Sequence, residues 1–511
     1  MADERDIKLA NGGLQIAFRK RSTPRCIVDF FTAYGAYRAE AVLGQAIVPD
    51  GGVFERSPSA TLLSATTSKS LASPAGTWSV TLPDRPIYRQ RYHNHPTLGS
   101  GGRGHRWSDV LRADDLVVIR MQRPPYPMTT VMVGLVEGIP IRTKTATPEG
   151  VIRSISISGQ DLGKLFLNAK AWYASETPGA DPTGYALRNF VKLAPGHNWT
   201  GETRARLIHN VMTNLFAPLT KASYPLGDPL GSKLEASTLL GLMLGRSDDQ
   251  VSLSFPYLQM EGPIWTFLRQ VVEDPWFELF VDTLENDDLL HNAYHPKGID
   301  VFEEGQTKVD GGATGNYLVM RQTPFDKEDW ERLPAFEFDD LSVTGYEVGG
   351  VPSDEIANFF YAKPLFSGLD GAGHQDLVRS WAWNHTSVDR HGIRSLIKPF
   401  QGFDLKRLNL EYVQKQSDRL CRWFQGNDEF LAGQITVQGH PAYKVGCRAI
   451  HVDDDRRKWE YYLETVGHSF QAFSQYQTSL GLSRGLEVAH EGRPPFSKVG
   501  RFNDPSPKGV L

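Results

Sequence analysis

Five residues near the C-terminus, Gly481-Leu482-Ser483-Arg484-Gly485, match the GxSxG spacing of serine hydrolases. That chemistry needs a sharp strand-to-helix turn that lifts the serine hydroxyl above a sheet, and a histidine to take its proton. The residues before Ser483 alternate as a strand. Leu486 to Pro495 lack helical periodicity, and only His490 follows in the order such hydrolases use. The competing reading places Ser483 on the polar face of a strand that the two glycines end. Gly99-Ser100-Gly101-Gly102-Arg103-Gly104 matches GxGxxG, which binds a dinucleotide only between a strand and a helix. Here His93-Asn94-His95-Pro96 precedes and a turn at Trp107-Ser108 follows, so residues 93–106 read as a long loop.

His93, His95 and His105 of that loop could ligate a metal, but no carboxylate or cysteine stands at a matching spacing. His291 and His295 would share a helix face, yet Asn292 occupies the place where a zinc protease needs glutamate. Asp287-Asp288, Asp339-Asp340 and Asp453-Asp454-Asp455 lack the spacing of a calcium loop, and the last reads as a hairpin tip. Trp381, Trp383 and Tyr361 could stack on a sugar and read more simply as core aromatics. These hits do not converge. No catalytic, cofactor-binding or metal-binding residue is assigned, no cofactor is implied, and the expectation is a scaffold and not an enzyme.

The elements that would carry these residues are mostly strands. Trp78, Val80 and Leu82 alternate with polar residues, and Ile155 and Ile157 face one way while Ser154, Ser156 and Ser158 face the other. This is the pattern of a sheet with one buried face. Leu116 to Met121 and Thr130 to Glu137 read as further strands, and short strands joined by turns suggest a barrel or sandwich. The middle of the chain changes character. Arg204 to Phe216, Lys233 to Leu244 and Trp265 to Val272 read as helical, and Trp276 to Leu284 as extended. From Asn316 to Arg321 strands return. A helix is predicted over Glu411 to Phe424, then strands over Lys458 to Val466, with Trp459, Tyr461 and Leu463 on one face. The strand over Tyr476 to Ser483 sets Tyr476, Leu480 and Leu482 against Gln477, Ser479 and Ser483.

A length of 511 residues suggests about three domains. Lys and Arg number 55 against 59 Asp and Glu, which argues against gripping nucleic acid by charge alone. The three cysteines, Cys26, Cys421 and Cys447, form no CxxC pair, so neither a disulfide framework nor a cysteine zinc site is indicated. The charged start, Met1 to Asp6, does not read as a signal peptide, and no run of 18 apolar residues reads as a membrane span. The expectation is synthesis in a cytoplasm. On that expectation the sequons at Asn198 and Asn384 read as chance matches.

Three stretches resemble the baseplate hub proteins of phage tails and related injection machines. One is Tyr461-Tyr462-Leu463-Glu464-Thr465-Val466-Gly467-His468-Ser469-Phe470, leading to Tyr476-Gln477-Thr478-Ser479-Leu480 and Leu482-Ser483-Arg484-Gly485. The second runs from Asp115 to Phe166 and closes on Gly159-Gln160-Asp161, a turn that starts a helix. The third is Thr323-Pro324-Phe325-Asp326 with Trp330 and Leu333, followed by Ser353 to Asn358. Residues 93–106 depart from the family by their length and glycine content.

The resemblance implies a β-rich α+β chain with two tail-tube-like β-barrel domains and an intervening mixed α/β insertion. The first barrel domain covers 1–175, the insertion 176–315, the second barrel 316–485 and a C-terminal arm 486–511. It further implies a homotrimer in the virion tail baseplate that joins a sixfold tail tube to a threefold central spike and lines the delivery channel. Expected partners are the spike protein and the tail tube or distal tube protein, with tape measure and baseplate wedge proteins as further candidates. DNA would be met only in transit, and no stable membrane insertion is expected. Two alternatives stand beside this: another tube-initiating or adaptor protein of the tail, and a serine hydrolase using Ser483.

Overall fold

The computed structural model describes residues 14–15, 23–32, 35–43, 62–84, 106–138, 141–147, 150–171, 204–212, 216, 223–225, 233–235, 240–244, 262–272, 274–283, 315–324, 327–364, 381–400, 410–424 and 426–488. Among the described residues a 15-stranded, largely antiparallel sheet dominates, and the longest helix, Leu410–Phe424, has 15 residues.

The sheet has two runs. In the first, the neighbours in order are Gly35–Val42, Arg25–Thr32, Leu116–Gln122, Thr129–Val136, Gly150–Asp161, Thr77–Pro83 and Ser64–Ser70. The Leu62 N–H donates to the Glu40 carbonyl at 3.1 Å and brings the two ends of this run together. In the second the order is Ala335–Asp339, Arg448–Val452, Lys458–Gln471, Tyr476–Val488, Leu431–Gln438 and Val343–Gly350. Leu14–Gln15 pairs in parallel beyond Ala335–Asp339, and a 3-10 turn at Asp340–Ser342 carries the chain from Ala335–Asp339 to Val343–Gly350. The runs are joined because Thr465 to Gln471 pairs with Ser64–Ser70.

Period-2 alternation sets the burial. Trp78, Val80 and Leu82 are buried while Thr77, Ser79 and Thr81 are not. Each such apolar side chain contributes about 1.5–3 kcal/mol by leaving water. Trp78 lies over two glycines. A Cβ at Gly159 would stand 2.5 Å from the indole and 2.0 Å from the Leu135 carbonyl, and one at Gly134 2.6 Å from the indole nitrogen. That nitrogen donates to the Gln160 carbonyl at 3.2 Å, so the ring is fixed at both ends.

Each run has its own core. Trp107, Phe30 and Trp78 sit in the first, and Phe336, Tyr443 and Tyr461 in the second. A third core joins the helices Lys164–Asn168, Arg204–Val211 and Ile264–Val272 to a three-stranded sheet of Leu240–Leu244, Asn316–Gln322 and Phe277–Thr283. These helices and strands form an α/β unit whose core also takes in Leu116, Val133 and Leu135 of the first run and Tyr462 of the second. Asn316–Gln322, the last of its strands in the chain, pairs with the other two and not with the large sheet.

Three local readings are corrected. Lys233 to Leu244 is not a helix: Lys233–Glu235 pairs with Ser223–Pro225, and Leu240–Leu244 runs parallel to Asn316–Gln322. A short apolar run such as Leu240-Gly241-Leu242-Met243-Leu244 has no period that separates a buried strand from a helix, and the available partner decides. Trp107-Ser108 is no turn but the start of a one-turn helix, Trp107–Val110, with the Asp109 carboxylate accepting from the Arg106 N–H. The last strand runs past Gly485 to Val488. Other readings lie outside the described residues: Gly99 to Gly104, His93, His95, His105, Asn198, His291, His295, Asp287-Asp288, Phe325-Asp326 and His490.

Candidate assembly site

Eight strands form one hydrogen-bonded path: Val343–Gly350, Leu431–Gln438, Tyr476–Val488, Lys458–Gln471, Ser64–Ser70, Thr77–Pro83, Gly150–Asp161 and Ile141–Thr147. Every junction is antiparallel. Each end strand pairs on one side only among the described residues. Open edges of this length are templates for another strand. Apolar side chains stand exposed at both: Ile141 is 67% exposed at one edge and Tyr346 48% at the other, with Leu341, 83% exposed, in the turn that leads into it. Gly349 and Gly350 leave open space beside their backbone.

The path has two unlike faces. One carries the cores. The other is accessible, and its cross-strand rows can be followed by register. Gly345, Thr436, Ser479, Gly467, Ser68 and Thr77 form one row. Gln438, Gln477, Ser469, Thr66, Ser79 and Ser158 form the next. Ser64, Thr81 and Ser156 form the row after it and reach Ile141 at the edge, where Thr143 pairs with Ser154. From Gln434 to Ser158 these rows hold hydroxyls, amides and glycines and no ionisable side chain, in a chain that is 22% charged. Two carboxylates flank them, Glu347 on the edge strand and Glu464 at a bulge.

Behind this face a charged junction ties the runs to the α/β unit. Lys69 Nζ donates to Asp282 Oδ1 at 2.8 Å and to Thr283 Oγ1 at 3.2 Å, and Lys444 Nζ donates to the Thr283 carbonyl at 2.9 Å. Burial pushes the Asp282 carboxyl up, but Lys69, Lys444 and the Thr283 N–H outweigh it and leave it below the usual carboxylate range. Asp161, which accepts from the Gly163 N–H at 2.8 Å, is pushed up to about 6 by burial despite Lys69 nearby. Burial lowers His440 and His468 to about 3, with Arg123 adding to the first and Lys444 to the second, so both rings are neutral near pH 7. Arg123 spans the runs, donating to the Gly439 carbonyl at 3.0 Å and to Gln438 Oε1 at 2.5 Å.

The residues of the recognised stretches turn out to pack. Thr478 Oγ1 accepts from the His440 N–H at 3.0 Å and lies 3.1 Å from His468 Nδ1. Arg484 stacks on Trp423, its guanidinium carbon 3.6 Å from the ring centroid, and donates to the Trp423 carbonyl. Gly485 makes room for Tyr461, whose ring would lie 2.2 Å from an added Cβ. Asp161 ends its strand and leads into the helix Lys164–Asn168, as the Gly-Gln-Asp turn predicted.

Ser483 sits inside a strand, its Oγ donating to Glu464 Oε1 at 2.6 Å, and the chain continues extended. The strand-to-helix elbow of a hydrolase is not formed. Asp340 holds His451 (Oδ1 to Nε2, 2.5 Å) and the Asp454 N–H (2.8 Å), and Asp453 to Arg457 is a hairpin tip. Trp381, Trp383 and Tyr361 are half-buried on a small three-stranded sheet. Asn384 caps the helix His385–His391. Among the described residues no three His, Cys, Asp or Glu side chains gather as a metal site, and no helix is long and apolar enough to cross a membrane. Sequence reasoning missed the two edges, because an edge is a property of pairing and has no local signature.

No protein-family model and no curated protein matches the chain. Among solved structures it is similar to a tail protein from Neisseria meningitidis, at 12% identity and a TM-score of 0.46, covering 90% of this chain and 96% of that one. It is similar to the 43 kDa tail protein of prophage MuSo2 from Shewanella oneidensis, at 10% identity and a TM-score of 0.44, covering 90% and 98%. A type VI secretion component from E. coli, described as similar to T4 bacteriophage tail proteins gp27 and gp5, matches at 8% identity and a TM-score of 0.34, covering 86% and 77%. The resemblance to tail proteins read from the sequence thus recurs here.

Proposed function

We propose that this chain is a structural baseplate hub of a phage or phage-like tail, a homotrimer that joins a sixfold tube to a threefold spike. One observation carries the reading: the antiparallel path from Val343–Gly350 to Ile141–Thr147 is open at both ends. An even number of alternating strands leaves its two end strands running in opposite directions. Rotation about one axis then brings the Ile141–Thr147 edge of one copy antiparallel to the Val343–Gly350 edge of the next. Such a contact is head-to-tail, and with a rotation of a third of a turn it closes a ring of three. Closure also removes both open edges, which an isolated chain would expose to aggregation.

The two runs of strands, each with a core of its own, are read as two tube-like barrels. Three chains then present six barrels, a surface with threefold and apparent sixfold symmetry, and this resolves the mismatch between tube and spike. The spike, the tube or distal tube protein, the tape measure and wedge proteins are the corresponding partners, and the setting is the virion tail baseplate. No step of bond making is required of the chain.

Light scattering on the purified protein, with negative-stain images of the same sample, tests this. The expected result is three 57.0 kDa chains in an annulus. A compact monomer at all concentrations, or a ring of another subunit number, would refute it.

A further inference from the structure

If the edges close as proposed, one face of the path must look into the ring, and the chain's mass decides which. The three cores, with the α/β unit and the helices that enter them, lie against one face. A closed annulus has no room inside for that bulk, so the accessible face turns inward. We infer that the hydroxyl- and amide-lined rows from Gln434 to Ser158 are the wall of the delivery channel, and that this wall passes a polymer cargo without regard to its charge.

The inference rests on the hub reading and adds the chemistry of the passage. Affinity for a polyanion comes mainly from Lys and Arg meeting phosphates, with a steep dependence on salt. The rows through Ser68 and Ser158 offer no such contact, and no carboxylate that would repel phosphate or hold a basic peptide. Hydroxyls and amides hold water about as well as they hold cargo, so a segment leaving one row loses little on reaching the next. A solvent-facing sheet of ordinary composition would interleave charges of both signs. Their absence from rows that cross six successive strands is what a sliding surface needs and what solubility alone does not explain.

Two measurements on the full-length protein test this. In the first, Ser68→Cys and Ser158→Cys are compared with Ile393→Cys, an exposed position just before the strand Ser395–Phe400 of the small sheet and outside these rows. All three are expected to react with a small maleimide. A maleimide carried on a globular protein too large to enter the ring is expected to label the two wall positions at least tenfold more slowly than Ile393→Cys. In the second, a short DNA duplex and a polyglutamate of equal length are run with the ring at low salt. Neither should be retained by the unmodified protein. The triple variant Thr66→Arg, Ser68→Arg, Ser158→Arg should retain both, and lose them as salt rises. Equal labelling at all three positions in a trimer would turn the face outward and sink the inference while leaving the hub standing. Salt-sensitive retention by the unmodified ring would also sink it. A monomeric mass would remove the hub reading, and this one with it.

Discussion

Lys69 and Asp282, 213 residues apart, meet at 2.8 Å with both side chains nearly sealed from solvent. The contact fastens the first run of strands to the α/β unit, and Lys444 reaches the same point from the second run. Removing one member of a buried ion pair strands the other charge, at a cost of about 3–5 kcal/mol. Lys69→Met is therefore expected to lower the unfolding midpoint in urea sharply. Lys69→Met with Asp282→Asn should recover a large part of the loss. Equal stability of the single and double variants would show that the charge is not what matters there.

Asp161 supplies a pH dependence of definite sign. Its carboxyl is pushed up to about 6 in the fold, by burial first, against a reference of 3.8. The folded state therefore holds this proton more tightly than the unfolded chain does. The resulting stability is complete below the unfolded value and is lost as pH rises through about 6. Asp161→Asn keeps an oxygen to accept from the Gly163 N–H and removes the titration. The variant should gain on the parent between pH 4 and pH 7, by up to about 3 kcal/mol from a shift of roughly two units. Parallel stability curves across that range would contradict this.

Gly159 is a packing requirement, since its Cβ would strike the Leu135 carbonyl and the Trp78 ring. Overpacking of this kind costs about 1–3 kcal/mol, and here one of the atoms struck belongs to the backbone. Gly159→Ala should lower the melting temperature and weaken near-ultraviolet signals from Trp78. The accessible glycine Gly349, which meets nothing within 4 Å, is the control, and Gly349→Ala should be nearly neutral.

Ser483 donates to the Glu464 carboxylate from inside a continuous strand, so its hydroxyl is held in the sheet and is not lifted on a strand-to-helix turn. A fluorophosphonate probe should leave it unlabelled, and Ser483→Ala should change neither mass nor assembly. Stoichiometric labelling lost in Ser483→Ala would restore the hydrolase alternative.

Much of the sheet was legible in the sequence because its faces differ so plainly. Trp78, Val80 and Leu82 against Thr77, Ser79 and Thr81 fix both strand and orientation. The helix Leu410–Phe424 and the charged tip at Asp453 to Arg457 were legible for the same reason. Leu240 to Leu244 was not, since a short apolar run takes its structure from its partner, Asn316–Gln322. Nor were Lys69 and Asp282 as a pair, because nothing local in either segment marks a contact made across 213 residues. The serine and threonine rows were visible one strand at a time, as Ser154, Ser156 and Ser158 or as Gln477 and Ser479. Only register joins them into one surface.

The ring depends on the junction between the Ile141–Thr147 edge of one copy and the Val343–Gly350 edge of the next. Thr143 faces the accessible side, as do Gly345, Glu347 and Gly349 by their register. Thr143→Cys is combined in turn with Gly345→Cys, Glu347→Cys and Gly349→Cys, with Cys421 replaced by serine, and each protein is oxidised. One of the three should give a covalent ladder ending at a trimer, and pairing Thr143→Cys with Val348→Cys, on the opposite face, should not. A protein that is trimeric by light scattering yet forms no ladder in any of the three would contradict the account.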